Sequence, residues 1–108
     1  MSALEVLNFA ELVRLLNEDG DLRTIFSTML KIKTGHLLEI ARIVKLPVSV
    51  VKAKLEKLEG LHFVKRQEAQ EPRVFGSDDV YYYLSRSAFR YENDLREVLR
   101  SMPSESSA

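Results

Sequence analysis

Cysteine is missing from this sequence, and so is tryptophan. Without cysteine there is no disulfide, no thiolate metal site and no thiol nucleophile. Glycine and proline are scarce, at four and three residues, and no glycine-rich phosphate loop can be assembled from them. Only two histidines are present, His36 and His62, and neither has an acid or serine partner at a spacing that suggests catalysis. No apolar run approaches the roughly 20 residues of a membrane span, and the N-terminus lacks a basic-then-apolar leader pattern. Nor is there an excess of charge: 16 Lys or Arg stand against 16 Asp or Glu. These absences argue against an enzyme, a metal centre or a bound cofactor, and lead us to expect a soluble, cytoplasmic protein. What is present suits one small domain, since 108 residues at 45% hydrophobic content suffice for a single core.

Hydrophobic spacing divides the chain into helices and a hairpin. From Ala3 to Leu16 nearly every position is apolar, and Glu5, Asn8, Glu11 and Arg14 leave only a narrow polar strip. A helix of residues 1–18 with that character needs cover on more than one side, from a second subunit or from a groove in its own domain. Asp21 is placed to cap a second helix, where Leu22, Ile25, Phe26, Met29 and Leu30 recur at three and four residues. Thr34-Gly35-His36 ends it, with His36 set to cap a helix or add to a sheet. A short helix from Leu37 to Lys45 follows, stopped by Leu46-Pro47, and another starts near Ser49 and runs to Glu59. Gly60 offers the left-handed turn that ends it. Residues 61–66 and Val80 to Leu84 carry strand-forming side chains around a polar loop with Pro72, Gly76 and Ser77, which reads as a hairpin over 61–84. The last helix, 86–102, spaces Ala88, Tyr91, Leu95, Val98 and Met102 by three and four, either a coiled-coil seam or packing on the domain's own core. Residues 103–108 read as a disordered polar tail.

The order of these segments is helix, helix, helix-turn-helix, hairpin, helix: a mainly α, α+β chain of one domain over 1–102. From about residue 21 to 85 it resembles the winged helix-turn-helix family. The resemblance rests on Ile40-Ala41 in the first motif helix, Leu46 in the turn, Val50-Val51, Leu55 and Leu58 in the second, and Gly60-Leu61 entering the hairpin. Physically, Ala41 lets two helices cross closely, Leu46 fills the corner, and Val51, Leu55 and Leu58 bury one face. With helices on both flanks and the run Tyr81-Tyr82-Tyr83-Leu84, the layout looks most like dimeric regulators of the arsenic-repressor (ArsR) type. It departs from their metal-sensing members in lacking cysteine in the motif and histidine in the last helix. Glu92, Asp94 and Glu97 then read as solvated charges or partners of Arg90, Arg96 and Arg100.

The resemblance implies double-stranded DNA binding by a homodimeric transcriptional regulator, with the helix at about 48–59 in the major groove and the wing on phosphates. Charge agrees with that expectation. Residues 42–66 hold seven Lys or Arg and two acids, while 67–79 net −3 and 1–41 net −2. With Val51 facing inward, 100° per residue turns Ser49, Lys52, Ala53, Glu56 and Lys57 outward. Small Ser49 and Ala53 allow close approach to base edges, Lys52 reaches a guanine or a phosphate, and Lys57 a phosphate. Lys45, Lys54, Lys65, Arg66 and Arg73 are further phosphate candidates. Glu56 opposes phosphates unless it accepts from a cytosine amino group. The dimer is expected through Leu4 and Leu7 of the first helix and Ala88, Tyr91, Leu95, Val98 and Met102 of the last. A different class of function is also open: winged helices serve as protein-interaction modules of larger assemblies.

Overall fold

In the computed structural model, residues 2–68 and 79–102 are described. The elements are α1 (Ala3–Glu18), α2 (Gly20–Ile32), β1 (Thr34–His36), α3 (Leu37–Val44), α4 (Val48–Gly60), β2 (Val64–Glu68), β3 (Val80–Leu84), α5 (Arg86–Arg90) and α6 (Glu92–Arg100). Among the described residues no helix is long and apolar enough to cross a membrane. The expected tail at 103–108 lies outside the described residues.

At the centre lies α2, whose Leu22, Ile25, Phe26, Met29 and Leu30 are all buried, as their spacing predicts. Its cap is Asp19 rather than Asp21. The Asp19 N–H closes α1 on the Leu15 carbonyl, and its carboxylate accepts from the Leu22 N–H at 3.1 Å. One residue therefore ends one helix and starts the next, and Asp21 falls within the first turn of α2. The apolar surface of α1 divides along its length. Leu12 and Leu16 are buried and Phe9 and Leu15 pack on the core, whereas Leu4 and Leu7 near the N-terminus are 62% and 67% exposed.

Three antiparallel strands form one sheet in the order β1-β3-β2. Thr34, Gly35 and His36 face Tyr83, Tyr82 and Tyr81, so the short connection adds a strand to the hairpin. Gly35 sits in a tight place: a Cβ there would come within 3.0 Å of the Ile32 side chain and 3.3 Å of Ile40, so those side chains would have to give way. Alternation along β3 buries Tyr82 and leaves Tyr81 and Tyr83 exposed. The turn out of α4 differs from expectation, because Gly60 is still helical and the left-handed residue is His62, at φ 67°. The Phe63 N–H donates to the Leu58 carbonyl and closes that helix end.

The last helix is two helices. Tyr91, at φ −108° and ψ 20°, separates α5 from α6. Its hydroxyl donates to Glu5 of α1 at 2.7 Å, and its ring meets Phe9 edge-on at 6.1 Å. The break falls where this side chain is held against α1. Ala88 and Leu95 are both fully buried, so the three-four spacing of this segment serves the chain's own core. As part of an intersubunit seam, Ala88 and Leu95 are therefore corrected.

Candidate nucleic-acid interface

His36 opens the motif. Its Nδ1 accepts from the Leu38 N–H at 3.1 Å, and its Nε2 lies 2.8 Å from the Asp79 carboxylate just before β3. The ring thus ties the start of α3 to the hairpin, and it packs edge-on against Tyr81 at 4.9 Å. At the other end of α3, Lys45 takes the left-handed conformation, φ 60° and ψ 43°, with its N–H donating to the Ala41 carbonyl. Leu46 donates to the same carbonyl and fills the corner between the helices. Pro47 then fixes the entry into α4, which starts at Val48 without a side-chain cap. Val51, Leu55 and Leu58 are fully buried. That seating turns Ser49, Ala53, Glu56 and Lys57 to solvent and leaves Lys52 half-buried.

The structure separates the basic residues by what they touch. Lys54 is engaged internally: its Nζ donates to the Asp19 carboxylate at 2.6 Å, joining α4 to the α1–α2 corner. Partial burial works against the Asp19 carboxylate. The hydrogen bonds from Lys54 and the Leu22 N–H, with the charges of Lys54 and Lys57, outweigh that and hold its pKa below the usual aspartate value. Lys45, Lys57, Lys65 and Arg66 are exposed and make no ion pair among the described residues. Along β2, Lys65 stands opposite Tyr83 and Arg66 opposite Tyr82, so the two point to different sides of the sheet. Arg73 lies outside the described residues.

Away from the motif, several cations are paired with nearby acids, while Lys31 and Arg86 are exposed without an ion pair among the described residues. Arg14 bridges Glu11 and Glu18, Lys33 and Arg96 share Glu92, Arg90 lies 3.5 Å from Glu5, and Arg100 pairs with Glu97. The last-helix acids Glu92 and Glu97 are thus partners of arginines, as the sequence suggested. Glu92 is held below the usual carboxylate pKa, chiefly by the hydrogen bonds from Lys33 and Arg96. Among the described residues no group of three or more His, Asp or Glu could hold a metal ion.

Sequence reasoning missed the Lys54–Asp19 and His36–Asp79 pairs, which join residues far apart in the chain; the local signals were a possible cap at His36 and an acid at the α1–α2 break. It also identified no cavity. One of about 260 Å³ opens between α1, α5 and the segment after α4, with Glu5, His62, Arg90 and Tyr91 in its wall. Of the residues expected at a dimer contact, Leu4 and Leu7 are exposed, Tyr91, Val98 and Met102 are half-buried, and Ala88 and Leu95 lie inside.

This arrangement of α2, α3, turn, α4 and hairpin recurs among solved structures. The disulfide-formed AbfR matches with a TM-score of 0.67 at 16% identity, over 96% of this chain and 69% of that one. The fold is a winged helix-turn-helix. Within this fold α3 and α4 are the motif and β2–β3 the wing. Overoxidized AbfR bound to DNA gives 0.65 at 18% identity, over 92% of this chain and 74% of that one. RV1404 from Mycobacterium tuberculosis gives 0.58 at 16% identity, over 91% and 66%. The winged helix thus spans about two thirds to three quarters of the length of these proteins. No family model and no curated protein matches the sequence. The narrower resemblance to ArsR-type regulators has no support among these structures.

Proposed function

We propose that this winged helix binds double-stranded DNA as a transcriptional regulator, and that it is not an enzyme. The observation that carries the reading is the concentration of positive charge on the motif and the base of the wing, where residues 42–66 hold seven Lys or Arg and two acids. Of these, Lys45, Lys57, Lys65 and Arg66 are exposed without an ion pair among the described residues. Cations concentrated in one segment give it a local positive field for a partner, even on a chain of zero net charge. In this reading the outer face of α4 enters the major groove, and Lys45, Lys57, Lys65 and Arg66 meet phosphates. Lys54 stays with Asp19 and contributes to holding α4 in place. AbfR, with the same fold, has been solved bound to DNA.

The proposal includes a homodimer and, with a DNA partner, a cytoplasmic location. Support for the dimer comes from α1, where Val6 and Leu7 are at least half exposed and Ala3 and Ala10 lie a turn to either side on the same face. Phe89 of α5 is also exposed. A second copy laid on α1 covers that stripe. A different protein could cover it too, which is the interaction-module reading.

Fluorescence anisotropy of a labelled mixed-sequence duplex, titrated at several salt concentrations, tests the reading. Binding is expected to weaken with salt. The Lys57→Ala/Lys65→Ala variant should bind more weakly, with a log–log slope shallower by about 0.9 for each phosphate contact removed. Absence of binding at low salt would sink the DNA reading and leave the module.

A further inference from the structure

Glu56 stands in the wrong place for a protein that only needs to hold phosphates. Seven residues beyond Ser49, it shares the outer face of α4 with Ser49, Lys52, Ala53 and Lys57, and it is the one carboxylate there. It is exposed and makes no ion pair or hydrogen bond among the described residues, although Lys52 lies one turn away and Lys57 beside it. On this helix its neighbours Ser49 and Ala53 are small, so nothing bulky holds the backbone away from a groove floor. Resting on the DNA reading above, we infer that Glu56 is the specificity-determining residue of the interface and selects cytosine.

The chemistry follows from what each base shows in the major groove. An ionised carboxylate only accepts hydrogen bonds. Guanine presents two acceptors, and thymine an acceptor and a methyl group, so both repel it. Adenine offers an amino donor beside an acceptor, N7, which faces the second carboxylate oxygen. Cytosine alone presents an amino group, N4, with no acceptor on its own major-groove edge. The same carboxylate weakens attachment to generic backbone, and so raises discrimination twice over.

Binding-site selection from a randomised duplex pool, run with the wild-type chain, Glu56→Gln and Glu56→Ala, tests this beside binding to a generic duplex. All three chains should fold alike by circular dichroism, because the side chain is exposed. The wild type should enrich cytosine at one position per half-site, with about tenfold or greater discrimination over the other bases. Glu56→Gln should move that preference to adenine, whose edge a glutamine amide matches. Glu56→Ala should lose the preference at that position and bind generic duplex more tightly. Identical preferences in all three chains, or generic binding by the wild type with no cytosine selected, would overturn the assignment and leave the DNA reading standing. Failure of the wild type to bind any duplex overturns both.

Discussion

Asp19 shows how much one side chain can settle. Its carboxylate receives the Leu22 N–H and the Lys54 ammonium, so it caps α2 and fixes α4 against the α1–α2 corner. Asp19→Ala should lower stability by about 1–2 kcal/mol, a cap plus a partly buried pair, read as a shift in the urea midpoint at pH 7. Because the folded pKa is depressed, the contribution is complete above the ordinary aspartate value of 3.8 and is lost as pH falls below it. The gap between wild type and Asp19→Asn should therefore shrink below about pH 3.8; a gap that persists there would rule out the ion pair as its source. Sequence reading placed that cap at Asp21, within what is the first turn of α2. The cap falls at Asp19 because α2 follows α1 without a spacer, which local spacing does not reveal. Lys54, 35 residues away, was legible only as one more basic residue of the motif.

Elements were legible where periodicity carries them, and ambiguous where one period fits two kinds of packing. The buried rows of α2 and α4 followed directly from spacing. A three-four repeat in the last helices is the same whether it meets a partner or the chain's own core, and here Ala88 and Leu95 meet the core. Leu95→Glu is accordingly expected to unfold the chain, since it places a carboxylate where no water reaches. Leu7→Glu, at a site 67% exposed, should keep the fold and dissociate the proposed dimer in sedimentation. An unchanged dimer would move the contact away from α1. The end of α4 was misplaced for a related reason. Glycine is the usual left-handed residue, and Gly60 stood close by, but the helix continued through it and left His62 at φ 67°. His62→Gly should raise stability by up to about 1 kcal/mol in urea titrations, because glycine takes that conformation without strain; a loss of stability would show that the imidazole contributes more than its backbone costs.

At the scale of the molecule, charge is balanced in total and segregated in space. Equal numbers of acids and bases hide a net positive stretch over residues 42–66, in which Lys45, Lys57, Lys65 and Arg66 are exposed without an ion pair among the described residues. The position of that basic stretch was legible in the sequence, but the removal of Lys54 from it by Asp19 depends on side chains that meet only after folding. The sheet was half visible for a similar reason: five-residue strands carry a pattern, whereas Thr34-Gly35-His36 is too short to show one. Its strand order has a consequence for how the chain is made. In the order β1-β3-β2 the middle strand is the last to be synthesised. Until Leu84 has left the ribosome, β1 and β2 have no neighbour to bond to, because they do not touch each other. The sheet therefore cannot grow strand by strand from the N-terminus. It waits for β3, and only with that strand in place is the start of α3 anchored through His36 to the segment that leads into it.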